Sequence, residues 1–149
     1  MSQALADRPA APCIPPHLAA ELAAGRRNGC VGTRLLSVSE RSRVWTIELK
    51  PGDRIGFHTH VLDYFWTAVT PGRARSHYGD GRVAETEYRA GDIQTMTFGA
   101  GKSMTHDLAN VGDTDLIFTT VEYLDSANPP LDLPEAVLRE ADAAVTVRI

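Results

Sequence analysis

The sequence predicts an all-β protein, an antiparallel sandwich or barrel with a short helix near each end. Two features of the chain lead to this prediction. From about residue 32, apolar and polar residues alternate with a period of two, and glycine-containing turns interrupt the alternation roughly every ten residues. At 149 residues the chain has the length of one domain and can bury a core without help from disulfides. We therefore expect one barrel, at residues 32–128.

Residues 1–31 are expected to form an arm and a short helix that precede the barrel. The arm, residues 1–15, is rich in alanine and proline, which indicates an extended chain. Leu18 and Leu22 then lie four positions apart, which puts them on one face of a helix, and Gly25 is a typical residue at which a helix stops.

Seven strands of the barrel are predicted from their composition and from the turns that separate them. In the first strand, Trp45, Ile47 and Leu49 alternate with other residues, and the strand ends at Pro51-Gly52. The segment from Gly79 to Gly81 predicts a hairpin between two later strands. The seven segments are 43–50, 63–70, 73–78, 82–88, 93–98, 105–111 and 116–124.

The chain is expected to leave the barrel after residue 128 and to end in a short helix and a tail, residues 129–149. Pro134 suits the first turn of a helix, because a proline there loses no hydrogen bond. The last six residues, 144–149, are a candidate strand that pairs along a sheet edge, with a dimer partner as one option.

Charge and composition exclude several classes of function. A formal net charge of −4 and a pI near 5.7 offer no basic surface for nucleic acid or for anionic lipid. The chain has neither the apolar run of about twenty residues that spans a bilayer nor a signal peptide, so we expect a cytoplasmic protein. Cys13 and Cys30 are expected to be unpaired thiols, as is usual in that compartment.

The residues that point most directly to chemistry are the two histidines of the segment Gly52-Asp-Arg-Ile-Gly-Phe-His58-Thr-His60. Because side chains alternate along a strand, His58 and His60 face the same side, where both imidazoles can bind one ion. Imidazole suits iron, nickel, zinc or copper. A His-x-His pair is common by chance, so it needs support from the residues around it.

The chain resembles the cupin family in these residues. The spacing Gly-x5-His-x-His matches the opening of the first cupin motif, and His106-Asp-Leu-Ala-Asn110 resembles the second motif. The resemblance covers residues 43–124 and follows the family's order. It implies a cupin double-stranded β-helix, a jelly-roll-like barrel, in which His58, His60 and His106 converge on one divalent transition metal.

One departure from the cupin pattern concerns the glutamate that follows the second histidine of the first motif. At the two positions where the motif places it, this chain has Tyr64 and Phe65, and the nearby Asp63 is out of step. The fourth ligand is therefore open between Asp63, Tyr64, water and none. Three neutral imidazoles leave the ion its double positive charge and about three open positions, which favours an anionic chelating substrate.

Four residues near the motifs are candidates for other roles. Tyr64 is the candidate catalytic residue, as a phenolic acid/base or a hydrogen-bond donor, and packing in the core is its alternative role. His77 is expected at the surface or in a supporting role, because its position in the strand places it away from the inner face. Lys102 and Arg54 are expected to flank the mouth of the barrel, where they orient an acidic substrate or remain solvated.

Together these features favour a metal-binding enzyme. The favoured chemistry is an iron(II) dioxygenase-like reaction on a small oxygenated metabolite. One alternative is a redox-inert isomerase, cyclase, lyase or decarboxylase that uses zinc, nickel or manganese to polarise a carbonyl. The other is a non-catalytic cupin that binds a small ligand. The resemblance also implies a homodimer, because cupins of this size often pair.

Overall fold

The computed structural model describes residues 14–141, which form two antiparallel β-sheets between two short helices. Helix α1 (Ala19–Gly25) follows a 3-10 turn at Pro16–Leu18, and helix α2 (Glu135–Glu140) follows Pro134. The nine strands between the helices are β1 (Arg34–Val38), β2 (Ser42–Leu49), β3 (Arg54–His60), β4 (Tyr64–Ala68), β5 (Gly72–His77), β6 (Val83–Tyr88), β7 (Ile93–Met96), β8 (Met104–Asn110) and β9 (Leu116–Tyr123).

One sheet has the strand order β1-β2-β9-β4-β7 and the other has the order β3-β8-β5-β6. All strand pairs in the described part of the chain are antiparallel. The chain crosses between the sheets several times, since strands adjacent in sequence, such as β2 and β3, belong to different sheets. This arrangement confirms the predicted all-β fold with a short helix at each end.

All seven predicted strands are present, and their ends differ from the prediction by at most two residues. The two histidines of the first motif lie on β3, as expected. The sequence pattern did not indicate β1, because Leu35 and Leu36 are adjacent apolar residues and a β-bulge between Leu35 and Ser37 shifts the register against β2.

Three predictions lie partly or wholly outside the described residues. The extended arm is described only from Ile14 onward, Cys13 precedes that residue, and the candidate edge strand at 144–149 follows Ala141, the last described residue. Cys30, which is described, is a free cysteine. Neither helix within residues 14–141 is long and apolar enough to cross a membrane.

An apolar core fills one end of the space between the two sheets. Its buried members come from both sheets and are Ile47, Leu49, Ala68, Ala74, Leu108, Leu116 and Phe118. Further along the same strands, inward side chains such as Thr120 on β9 and Ser76 on β5 line a cavity instead. The core therefore forms the floor of a cavity that occupies the other end of the barrel.

Helix α1 packs against the outer face of β3. At Gly25 a Cβ atom would lie 2.5 Å from Cβ of Phe57 and 2.7 Å from its carbonyl oxygen, so only glycine fits between the helix and the strand. The helix ends at Gly25, as predicted. Glycine is needed there for this close approach rather than for a left-handed conformation, because its φ is not positive.

Arg54 lies on the same outer face, and the prediction that it flanks the mouth of the barrel is wrong. Its Nη1 donates to Glu21 of α1 at 2.8 Å, and its Nε donates to the fully buried Asp107 of β8 at 2.8 Å. The hydrogen bond with Glu21 is the main reason that the pKa of Arg54 is raised above its usual range. Arg54 therefore fastens α1 to the sheet.

A β-bulge in β3 explains why Arg54 and the histidines face opposite sides. Ile55 pairs with Leu108 of β8 and His58 pairs with His106, so three steps along β3 match two steps along β8. The extra residue inverts the alternation of side chains. Arg54 and His58 are four positions apart and would face the same side of a regular strand. Because of the bulge, Arg54 points outward and His58 points into the barrel.

Candidate metal centre

Three histidines on two neighbouring strands meet inside the barrel. His58 and His60 lie on β3, and His106, on β8, is the direct cross-strand partner of His58. Their ring centroids are 4.7 to 5.1 Å apart. One potential ligand atom from each ring lies within 4.8 Å of the others, and Nε2 of His60 is 3.1 Å from Nε2 of His106. The three residues that the two sequence motifs single out are thus brought together.

Burial keeps the three imidazoles neutral. It lowers the pKa of His58 to about 4, with only a partial opposing effect from its hydrogen bond to Gly56. Burial also holds the pKa values of His60 and His106 well below the usual histidine range, and the neighbouring imidazoles lower them further. At neutral pH each ring therefore carries a lone pair that can bind a cation.

The hydrogen bonding of the rings fits a metal ligand set. Nδ1 of His58 lies 2.9 Å from the carbonyl oxygen of Gly56; as a donor in this bond it leaves Nε2 with the lone pair, an arrangement common in metal-binding histidines. Nδ1 of His60 and Nδ1 of His106 are buried without a hydrogen-bond partner among the described residues. Imidazole nitrogens suit divalent transition metals, so this cluster in this fold fits a divalent metal.

Asp63 and Tyr64, the two candidates for a fourth protein ligand, have different surroundings. Asp63 accepts a hydrogen bond from the backbone N–H of Phe98 at 2.8 Å and so anchors the loop after β7. It is not part of the three-histidine cluster. Tyr64 is buried and stacks on His60, with ring centroids 4.1 Å apart and an interplanar angle of 14°. Burial raises the pKa of the Tyr64 phenol above its usual range, so the phenol is neutral at physiological pH.

A buried carboxyl group behind Tyr64 was missed in the sequence. Glu122 of β9 is the cross-strand neighbour of Tyr64, is only 3% exposed, and accepts a hydrogen bond from Nε1 of Trp45 at 2.7 Å. Burial raises its pKa to about 7. The signal that could have found it is strand alternation, because Glu122 has the same parity as Phe118 and Thr120, which face inward.

The histidine cluster opens into a cavity of about 240 Å³. Thr86 on β6 and Gln94 on β7 line the cavity and are nevertheless exposed, so it is accessible to solvent at these two edge strands. Most of the other lining residues are apolar, aromatic or hydroxyl-bearing: Val31, Ile47, Tyr64, Trp66, Ser76, Tyr78, Tyr88, Met96, Met104, Leu108, Phe118 and Thr120.

Other residues singled out in the sequence have structural roles. His77 lies on the outer face, as expected, where its Nδ1 is 2.9 Å from the buried carboxylate of Asp107. Asn110 of the second motif donates to the carbonyl oxygens of Leu49 and Thr114 and thereby holds the turn after β8. Lys102 is exposed in the loop between β7 and β8.

Comparisons with known proteins find solved structures that have a similar fold. No protein-family model matches the sequence, and no curated protein matches it. A cupin domain from Bordetella pertussis Tohama I is 24% identical over 60% of this chain and 88% of that chain, with a TM-score of 0.53. An uncharacterised conserved protein with a double-stranded β-helix domain from Klebsiella pneumoniae is 27% identical over 66% of this chain and 82% of that chain, with a TM-score of 0.50. The chain therefore has the double-stranded β-helix fold, which is the fold of the cupin domain from Bordetella pertussis.

Proposed function

We propose that this protein is a metal-dependent enzyme that acts on a small oxygenated metabolite at the three-histidine cluster. The observation that supports the proposal most is the convergence of three neutral imidazoles in a cluster that contains no carboxylate. Each imidazole offers a lone pair and none offers a negative charge, so a divalent ion held there keeps its double positive charge. Such a site favours an anionic substrate that chelates through two oxygens.

Within this proposal we favour an iron(II) dioxygenase-like reaction. Iron(II), when bound, supplies both a Lewis acid and a redox centre for dioxygen. The protein contributes the apolar walls of the cavity, among them Met96, Met104 and Phe118, which reduce the access of bulk water to a substrate beside the histidines. The open edge at Thr86 and Gln94 is the route by which a small substrate enters.

Tyr64 supports a second candidate function. Its ring is held against His60, and its phenol keeps its proton at neutral pH because burial raises the pKa. In this candidate function the phenol of Tyr64, which lines the cavity, donates a hydrogen bond or a proton to a substrate oxygen next to His60. That role suits a redox-inert isomerase, cyclase, lyase or decarboxylase, which uses zinc, nickel or manganese to polarise a carbonyl.

Metal analysis of the protein, purified without chelators and without a histidine tag, tests the proposal. We expect about one transition-metal ion per chain after incubation with iron(II), nickel(II) or zinc(II). Occupancy below about a tenth of the chains, with no rebinding of added metal, contradicts a metal site of useful affinity.

Oxygen uptake separates the two candidate functions. The iron(II)-loaded protein is assayed with a panel of diketones and thiols, and the zinc(II)-loaded protein serves as the control with the same compounds. Uptake that requires both iron and one of the compounds supports the dioxygenase. Substrate turnover by the zinc form without oxygen uptake supports the redox-inert enzyme, and ligand binding without turnover supports a non-catalytic cupin.

A further inference from the structure

The side chains that line the cavity include no negative charge. Among the described residues that line it, Arg82 is the only one with a permanent charge, and none is an aspartate or a glutamate. Once a divalent ion is held at the cluster, the cavity therefore has two positive centres, the ion and the Arg82 guanidinium, and both attract anions.

The backbone and side chain of Arg82 are held in place in the turn before β6. Its backbone N–H donates to Oδ1 of Asp80 at 3.0 Å, and its Nε donates to Oδ2 of Asp80 at 2.7 Å. The guanidinium carbon lies 4.7 Å from the centroid of the Tyr78 ring, a cation–π contact. Since the side chain is already oriented, it loses less conformational entropy when it binds a ligand.

Asp80 accepts a hydrogen bond from only one nitrogen of the Arg82 guanidinium, Nε. The Arg82–Asp80 ion pair is exposed, with 69% and 56% of the two side chains accessible, so solvent screens much of its attraction. In the part of the chain that the structure describes, the two Nη atoms of Arg82 donate no hydrogen bond. They form a planar pair of donors that matches a carboxylate.

Tyr78 connects this arginine with the metal cluster. The Tyr78 ring stacks on His106, with centroids 5.6 Å apart and an interplanar angle of 29°. Arg82 contacts the same ring at 4.7 Å, so the guanidinium and the His106 ring are at most about 10 Å apart. A short organic acid with a polar group at each end can span such a distance, because each carbon–carbon bond covers about 1.5 Å.

We propose that Arg82 determines substrate specificity by binding a terminal carboxylate of a substrate whose other end chelates the metal at the histidine cluster. The substrate class is then a short dianionic oxo acid or a similar dicarboxylate. This inference rests on the proposed function, because the first end of the substrate needs the metal.

Ligand discrimination by the nickel(II)-loaded protein tests the inference. The probes are α-ketoglutarate and α-ketoadipate, each with a terminal carboxylate, and α-ketobutyrate, which chelates through the same two oxygens but lacks that carboxylate. Binding is measured by titration calorimetry without oxygen. We expect at least one dicarboxylate to bind about tenfold or more tightly than α-ketobutyrate, since a charge-assisted pair of hydrogen bonds is lost in the latter.

Variants assign the preference to Arg82. Arg82→Gln is expected to bring the affinity ratio close to one while leaving the affinity for α-ketobutyrate unchanged, and Arg82→Lys is expected to retain part of the preference. Arg89→Gln, an exposed arginine at the other end of β6 that does not line the cavity, is the control and is expected to retain the full ratio.

Three outcomes overturn the inference, and they can be told apart. If nickel(II) does not bind, the proposed function fails as well. If nickel(II) and α-ketobutyrate bind but the wild type shows no preference for either dicarboxylate, only the role of Arg82 fails. If Arg82→Gln still binds a dicarboxylate more tightly than α-ketobutyrate, Arg82 does not determine specificity. If the variant instead binds all three probes more weakly by the same factor, because the turn has changed, Arg82 is a structural residue.

Discussion

His106 is the single residue on which the candidate metal centre depends most clearly. His58 and His60 are neighbours on one strand, whereas His106 joins them only because β8 pairs with β3 in the observed register. Without its imidazole the cluster retains two protein ligands. The effect of its loss therefore measures whether the cluster as a whole binds metal.

His106→Ala is expected to lower the affinity for nickel(II) or cobalt(II) at least about tenfold. Competition with a chromophoric chelator measures the change. His17→Ala is the matched control, because His17 is exposed on the 3-10 turn before α1 and is expected to have no effect. Unchanged affinity in His106→Ala contradicts the assignment of the metal site.

Glu122 makes stability depend on pH in a direction opposite to that of most carboxylates. Burial raises its pKa from 4.5 to about 7, so between these values the folded protein holds a proton that the unfolded chain has released. The contribution of Glu122 to stability therefore falls as the pH rises from about 4.5 to 7. The full loss from this group is about 3 kcal/mol, since each unit of pKa shift corresponds to about 1.4 kcal/mol.

Glu122→Gln is expected to remove the loss of stability that ionisation of Glu122 causes as the pH rises. The amide oxygen of glutamine can still accept the hydrogen bond from Trp45, but the side chain no longer ionises. Urea unfolding with a chelator present should show the variant more stable than wild type by up to about 3 kcal/mol above pH 7, with little difference near pH 4.5. Glu48→Gln, an exposed glutamate of β2, is the control. Parallel pH profiles for wild type and Glu122→Gln contradict the role of this carboxyl.

At the scale of elements, the placement of α1 depends on one glycine and one ion-pair cluster. Gly25 lets the helix approach Phe57, and Arg54 links Glu21 of the helix with Asp107 of β8. Phe57 immediately precedes His58 on β3. The helix thus supports the outer side of the strand that carries two of the three histidines.

Gly25→Ala is expected to lower the free energy of unfolding by about 1–3 kcal/mol, because the added methyl group meets the side chain and backbone of Phe57. The higher helix propensity of alanine offsets at most about 1 kcal/mol of this cost. Chemical denaturation measures the change. Gly99→Ala is the control, because a Cβ there meets only Cγ of Lys102 at 3.8 Å and the φ of Gly99 is not positive. Equal stability of the two variants would show that α1 shifts without cost.

At the scale of the whole molecule, metal binding and folding should be coupled. The ligands on β3 and β8 are separated by more than forty residues in sequence, so only the folded barrel presents them together. A metal at a hundred times its dissociation constant stabilises the folded state by about 2.7 kcal/mol. For a domain of this size that corresponds to a rise in Tm of roughly 5–10 °C.

Thermal unfolding with and without nickel(II) checks this coupling. The variant with both His58→Ala and His60→Ala is expected to show no rise in Tm with added metal, although its own Tm differs from that of wild type. The same rise in this variant would mean that the metal stabilises the protein from another place. The homodimer implied by the family resemblance stays a prediction, which light scattering at several protein concentrations can check.

Much of the fold follows from local features of the chain. The alternation of Trp45, Ile47 and Leu49 and the glycine-containing turns predicted seven of the nine described strands, because side-chain alternation and turn preference act over a few residues. β1 was missed because its apolar residues are adjacent and its pairing contains a bulge. The His-x-His spacing and the resemblance to two cupin motifs also led to the three histidines.

The sequence by itself thus determined the all-β class, most of the strands and the identity of the three candidate ligands. Only the tertiary structure decided which side chains share a surface. The bulge in β3 turned Arg54 outward, cross-strand pairing put Glu122 beside Tyr64, and the turn before β6 brought Arg82 to the cavity. The physical reason is that register depends on contacts between strands far apart in sequence, and one inserted residue reverses the direction of every side chain beyond it.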